Sequence, residues 1–363
     1  MTFKGRLGIL QRVLPSYRVP FFDALAASCT GGMSLFAGHP LPEESITATE
    51  KLRMAEYARA DNWHFASPAS PFYLCYQRGL ANWLNDWNPD ALIIEANFRY
   101  LSSTTALSWM HLRGRPVIGW GLGAPSGRGP LSVLRGRFLR SFDAMLAYSQ
   151  RGAEQYTGCG IPVEKIFVAH NAVAPPPGHP LPIKADQFNP KPVLLFVGRL
   201  QPRKRIPSLL QACAELPEHL RPRLVIVGDG PDRKNLESIA AVTYPAAEFL
   251  GALHGAALVP HFAAADLFVL PGTGGLAVQE AMTYGLPVIV AKGDGTQDDL
   301  VRPGNGWQIA PDDDAALSAT LREALSDAPG LRRMGAESYR IAAEEINLEK
   351  MIDAFVGALN AVS

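Results

Sequence analysis

The sequence predicts an α/β chain built on parallel, doubly wound sheets. Short apolar runs recur along the whole length. Gly, Pro or Asp bounds each of them, and helical stretches separate them. At 363 residues the chain is long enough for two such domains.

The elements follow in order. Residues 6–10 read as the first strand. Residues 91–94, after Pro89-Asp90, and then 117–118, 144–147 and 166–169 continue the series. From 174 the composition changes: Pro175, Pro176, Pro177, Pro180 and Pro182 remove N–H donors and fix φ. Residues 174–191 therefore read as a proline-rich hinge. A second series opens with PVLLFVG at 192–198, and LVIVGDG, LFVLPG and PVIVA supply further strands. The expected organisation is a first domain at 1–173, the hinge, and a second domain at 192–340. Residues 341–363 have helical spacing and are expected to pack back on the first domain.

Composition narrows the function. Hydrophobic residues make up 47 % and charged residues 19 %, which excludes a disordered chain. Lys plus Arg equals Asp plus Glu at 34 each, so bulk charge does not suggest a nucleic-acid partner. No apolar run approaches a membrane span, and MTFKGRLGIL reads as a strand rather than a signal peptide. Cys29, Cys75, Cys159 and Cys213 are far apart and form no C-x-x-C pair. They read as reduced thiols of a cytoplasmic protein.

Chemistry is expected at the carboxyl ends of the strands. After Gly198, the loop carries Arg199, Arg203, Lys204 and Arg205 before a helix that Pro207 helps to start. Cations beside a helix N-terminus suit a diphosphate, although a solvated basic loop reads the same way. A second loop, in LFVLPGTGGLAVQEAM, holds Gly272, Thr273, Gly274 and Gly275, which admit close backbone approach. Glu280, in the following helix, has a carboxylate suited to a sugar diol.

These motifs carry a resemblance. Val197-Gly198-Arg199-Leu200, Lys204, Val227-Gly228-Asp229-Gly230-Pro231, Gly275-Leu276, Glu280-Ala281-Met282 and Gly304-Asn305-Gly306 stand in a shared order. The second half resembles the nucleotide-sugar-binding domain of GT-B glycosyltransferases, specifically the retaining family 4. The resemblance implies two Rossmann-like doubly wound domains facing an interdomain cleft. It implies Arg199 and Lys204 as the catalytic cations on the donor diphosphate. Gly198, Gly272, Thr273, Gly274, Gly275, Leu276, Ala277 and Glu280 would bind the donor, with Glu280 on the ribose. The donor would be a nucleoside-diphosphate sugar and the acceptor a glycan or a lipid-linked hydroxyl, with no metal and no other cofactor.

The sequence departs from that family in three places. The family carries a second Glu eight positions before Glu280, where this chain has Gly272. A His common after a first-domain strand is replaced by Leu122, which with Gly121 beside it and Asp299 is a candidate contact to donor or acceptor. Arg205 stands where a Gly commonly follows the loop Lys, adding a cation. Thr273 is a neighbouring polar group, and Asp299 roughly matches an acidic position. Asp294 and Asp298 read equally as turn and capping residues. His111, upstream of Leu122, reads as structural.

In the first domain, Arg12, Tyr17 and Arg18 follow the first strand and would meet donor or acceptor, or form a surface turn. Arg128 and the stretch LSVLRGRFLRSF, with Arg135, Arg137 and Arg140, read as a basic helix for an anionic membrane or as a packed helix with a cationic face. Trp63, Phe72, Tyr73, Tyr76, Trp83 and Trp87 suggest a packed helical region or an acceptor platform. The expected activity is sugar transfer to an acceptor hydroxyl with retention, in surface polysaccharide or lipopolysaccharide assembly, at the inner face of the membrane. The alternatives are a catalytically weakened nucleotide-sugar-binding subunit and a nucleotide-sugar epimerase.

Overall fold

A computed structural model describes every residue except 45, 69, 125–128 and 294, so Arg128 and Asp294 lie outside the described residues. The chain divides into two compact units. One holds Met1–Val173 and Leu348–Ser363; the other holds Ala174–Asn347.

Among the described residues, the first unit contains β1 (Leu7–Val13), β2 (Met33–Gly38), β3 (Glu56–Arg59), β4 (Asp61–Phe65), β5 (Leu74–Arg78), β6 (Ala91–Glu95), β7 (Val117–Gly121), β8 (Ala144–Ala147) and β9 (Ile166–Val168). Seven of these form one parallel sheet in the order β3-β2-β1-β6-β7-β8-β9. Most of its strands are apolar throughout because helices cover both faces. The helix Leu348–Val362 adds Phe355, Val356 and Leu359 to this core. The rings of Phe21 and Phe355 pack edge to face at 4.9 Å.

The antiparallel pair β4 and β5 is separate. The aromatic-rich stretch is therefore not all helical. Trp63 and Tyr76 oppose each other on this hairpin, whereas Trp83 and Trp87 lie on the helix Leu80–Trp87. Polar residues alternating with rings favour the hairpin.

The second unit contains β10 (Val193–Val197), β11 (Arg223–Val227), β12 (Glu248–Phe249), β13 (Leu267–Leu270), β14 (Val288–Ala291) and β15 (Gly306–Ile309). They form a parallel sheet in the order β12-β11-β10-β13-β14-β15.

The proline-rich stretch groups with the second unit. Side chains supply bonds that its backbone lacks donors to make. Tyr339 donates to the His179 carbonyl at 2.5 Å, Arg332 to that of Ala185 at 2.8 Å, and the Lys184 ammonium to that of Ala265. Residues 341–363 are not one helix. The helix Ala328–Arg340 runs into a π-turn at Ile341–Glu345, and the last helix starts at Leu348.

Among the described residues, no helix is long and apolar enough to cross a membrane, and no group of three His, Cys, Asp or Glu side chains is placed to hold a metal ion.

Candidate functional site

In an open parallel sheet, a crevice opens at the carboxyl ends of the strands where the chain order reverses. In the second unit that reversal lies between β10 and β13. The loops leaving these two strands are the basic loop and the Gly-rich loop, so the topology alone makes them neighbours.

Their contact is backbone to backbone. The Thr273 N–H donates to the Arg203 carbonyl at 3.2 Å. A Cβ on Gly272 would lie 2.1 Å from that carbonyl oxygen and 2.5 Å from the Lys204 Cα. Position 272 therefore has no room for a side chain, which accounts for the absent Glu. Gly274 and Gly275 have φ of 66° and 148°, in the region that favours glycine.

Lys204 closes the contact. Its Nζ donates at 2.8 Å to the carbonyls of both Thr273 and Gly274. Two of three N–H groups are thereby engaged, and one is left for a ligand oxygen. The residue is only 4 % exposed. Burial, and then the Arg203 guanidinium, push its pKa down to about 8. Arg203 itself donates to the Thr273 carbonyl at 3.2 Å. Arg199 is exposed in the loop just after β10, which Gly198 opens.

The helix Ala277–Thr283 follows Leu276. This short helix begins where the Gly-rich loop from β13 ends, and the Gln279 N–H donates to the Leu276 carbonyl at 3.2 Å. Glu280 is half-buried, and burial raises its carboxyl above the ordinary value. A diol that donates to this carboxylate would stabilise its charged form.

Arg205 does not join the site. Its guanidinium pairs with Asp312 at 2.5 Å and Asp314 at 2.8 Å, so the added cation is neutralised elsewhere. Sequence reasoning missed those two aspartates, which are more than 100 positions away. Asp299 is half-buried in the helix Thr296–Leu300, and its carbonyl accepts from Arg302 at 3.0 Å.

The first-unit candidates separate. In this sheet the order reverses between β1 and β6. Arg12, at the end of β1, is not open to an acceptor. Its guanidinium forms two bonds to Glu44, at 2.8 and 2.5 Å, and its N–H donates to Glu95 at 3.0 Å. Burial favours a raised Glu44 carboxyl, but the Arg12 guanidinium outweighs it and holds that carboxyl low. Burial raises Glu95.

Arg18 is buried rather than presented on a surface turn. Its guanidinium lies 5.5 to 5.9 Å from the rings of Tyr17, Phe21, Trp120 and Tyr148, and donates to Asn171 at 2.5 Å. That arrangement anchors a core. Tyr17 is exposed. Gly121 ends β7, where a Cβ would lie 2.7 Å from the Tyr156 hydroxyl, and Leu122 is exposed beyond it. His111 pairs with Asp143 at 3.1 Å, as a structural role requires. The helix Pro130–Leu139 exposes Leu131, Val133 and Leu134, while Arg140 donates to the Cys159 carbonyl at 2.8 Å.

The chain is similar to known proteins. Residues 182–341 match the family model described as Glycosyl transferases group 1. A GDP-mannose-dependent alpha-mannosyltransferase of Mycolicibacterium smegmatis is 44 % identical over 116 residues, 31 % of this chain and 28 % of that protein. The sulfoquinovosyl transferase SQD2 of Arabidopsis thaliana is 35 % identical over 143 residues, 38 % of this chain and 27 % of that one. The chain thus spans under a third of the length of either relative. Over almost all of both chains, it is similar in structure to Anabaena HepE in complex with UDP (TM-score 0.70, 16 % identity, covering 99 % and 100 %). A sucrose-phosphate synthase from Thermosynechococcus elongatus gives 0.71 at 18 % identity, covering 99 % and 100 %. At such identities the likeness speaks for the fold: α/β, GT-B, with two Rossmann-like domains.

Proposed function

We propose that this chain is a retaining glycosyltransferase that moves a sugar from a nucleoside-diphosphate donor to an acceptor hydroxyl without a metal. One observation carries the reading: Lys204 joins the basic loop to the Gly-rich loop at the reversal between β10 and β13. The diphosphate would sit against Arg199, the remaining Lys204 N–H and the N–H groups of Gly275, Leu276 and Ala277. Glu280 would accept from the ribose. As the glycosidic bond breaks, negative charge grows on the departing diphosphate, and these fixed donors stabilise it. With retention, the new bond forms on the face the diphosphate leaves, so a phosphate oxygen can take the acceptor proton. The mannosyl and sulfoquinovosyl transferases similar to it support this class.

We place the reaction in surface glycan or lipopolysaccharide assembly, in the cytoplasm at the inner face of the membrane. The exposed Leu131, Val133 and Leu134, beside Arg137, support a peripheral contact with anionic lipid. Gly272 favours a second reading, a nucleotide-sugar-binding subunit of weakened activity, because the loop leaves no space for a carboxylate.

Thermal-shift screening against UDP-, GDP-, ADP- and dTDP-sugars tests donor binding. Assay of nucleoside-diphosphate release with candidate acceptors then separates the readings. Binding with release supports the transferase, and binding without release supports the subunit. No shift with any of the four removes both.

A further inference from the structure

The chain crosses between its two units twice, from Val173 to Ala174 and from Asn347 to Leu348. Within the second unit, one side chain holds both crossings. Gln279 Oε1 accepts from the Ala174 N–H at 3.0 Å, and its Nε2 donates to the Ile346 carbonyl at 2.8 Å. Gln279 is 2 % exposed, so water does not readily replace it at either partner.

The second crossing is braced further. The π-turn Ile341–Glu345 ends at Ile346, whose N–H donates to the Ile341 carbonyl at 2.9 Å. Asn347 Nδ2 donates to the Ala342 and Ala343 carbonyls at 3.1 and 3.0 Å. Turns of this kind within helical runs are frequent at functional sites.

The first unit has a counterpart. The Arg18 guanidinium donates to Asn171, just before the first crossing, and lies 3.9 Å from the Met351 sulfur, just after the second. Each unit thus grips both crossings through one buried, two-headed side chain.

Gln279 has a further connection. It stands in the first turn of the helix Ala277–Thr283, which starts where the Gly-rich loop ends. Lys204 holds that loop by the Thr273 and Gly274 carbonyls. A helical turn moves as one piece, so a ligand that fixes the Gly-rich loop also fixes the point to which both crossings are tied.

We propose that Gln279 is a positioning residue that ties the two crossings to each other and to the helix of the Gly-rich loop, with Arg18 as the matching tie in the first unit. A nucleoside diphosphate on the loop is then felt at both crossings together. That consequence rests on the transferase reading; the tie itself does not.

The test is hydrogen exchange, read by mass spectrometry on the full chain, without ligand and with saturating UDP, GDP, ADP or dTDP. Peptides containing the Gly-rich loop, Ala174 and Ile346-Asn347 are followed. In the wild type, a nucleotide that slows exchange in the loop should slow it at both crossings, by about tenfold. Gln279→Met fills similar space without either bond. It should exchange about tenfold faster at both crossings without ligand, and should lose the nucleotide response there while keeping it in the loop. Gln279→Asn, one methylene shorter, cannot span both partners and should show the same uncoupling; it decides the matter if thermal melting shows that Gln279→Met is unfolded. A protected loop with unresponsive crossings in the wild type would overturn the proposal. So would a lowered melting temperature with the nucleotide response at the crossings intact, which is what a merely structural glutamine gives. If none of the four nucleotides protects the loop, the donor reading falls and the tie is judged without ligand. Faster exchange at both crossings in the variant then upholds it, and faster exchange at one or neither overturns it.

Discussion

The Arg203 carbonyl oxygen sits 2.1 Å from where Gly272 would carry a Cβ. The basic loop and the Gly-rich loop are thus packed through their backbones. Gly272→Ala must part them, and overpacking of this kind costs about 1–3 kcal/mol. Thermal melting should show that loss, together with a smaller nucleotide-induced shift. Gly272→Glu should be worse, and should gain no turnover from its carboxylate.

Arg199→Ala and Lys204→Ala should each remove about 2–4 kcal/mol of transition-state stabilisation. The readout is kcat/KM from nucleoside-diphosphate release. Lys204→Ala should also lower the melting temperature, because the Gly274 carbonyl loses the Lys204 donor and the Thr273 carbonyl is left with Arg203. Near-normal turnover in both variants would remove the diphosphate role.

The lowered pKa of Lys204, about 8 against 10.5 for an ordinary lysine, gives a pH dependence with a definite sign. A bound diphosphate favours the ammonium, so nucleotide affinity should fall as pH rises through about 8. Stability runs the other way. Between those two values the unfolded chain holds the proton that the folded chain has lost, so the Lys204 contribution becomes more favourable as pH rises. Calorimetric titration should show the affinity loss in the wild type and a flatter profile in Lys204→Arg, whose charge persists.

Arg205 has φ of 55°, which costs a non-glycine residue about 1–2 kcal/mol. Its pairs with Asp312 and Asp314 are largely exposed on the acidic side and return only part of that. Arg205→Gly should therefore change stability by less than about 1 kcal/mol. It should leave nucleotide affinity unaltered. A large drop in affinity would show that the guanidinium reaches the donor after all.

Much of the sheet framework was legible because β10, β13 and β14, and β11 after its first residue Arg223, are continuous apolar runs with Gly or Pro at their ends. The basic loop and the Gly-rich loop were legible for the same reason, since they end such strands. The edge strand β3, Glu-Tyr-Ala-Arg, carries too little apolar signal to stand out. The fates of Arg12 and Arg18 were not legible. Glu44 is 32 positions from Arg12, and Asn171 is 153 positions from Arg18. Both guanidiniums look like surface cations until tertiary contacts absorb them. Gly272 shows the same limit: the sequence reveals an absent carboxylate, and only the packing shows why none fits.

The placement of the helix Leu348–Val362 bears on how the protein is made. Phe355, Val356 and Leu359 belong to the core of the first unit, yet they are translated after the whole of the second. The unit that begins the chain is thus the later one to be completed on the ribosome. A fragment cut at residue 173 exposes the apolar surface those side chains cover, so neither expression nor refolding can treat residues 1–173 as a self-sufficient domain.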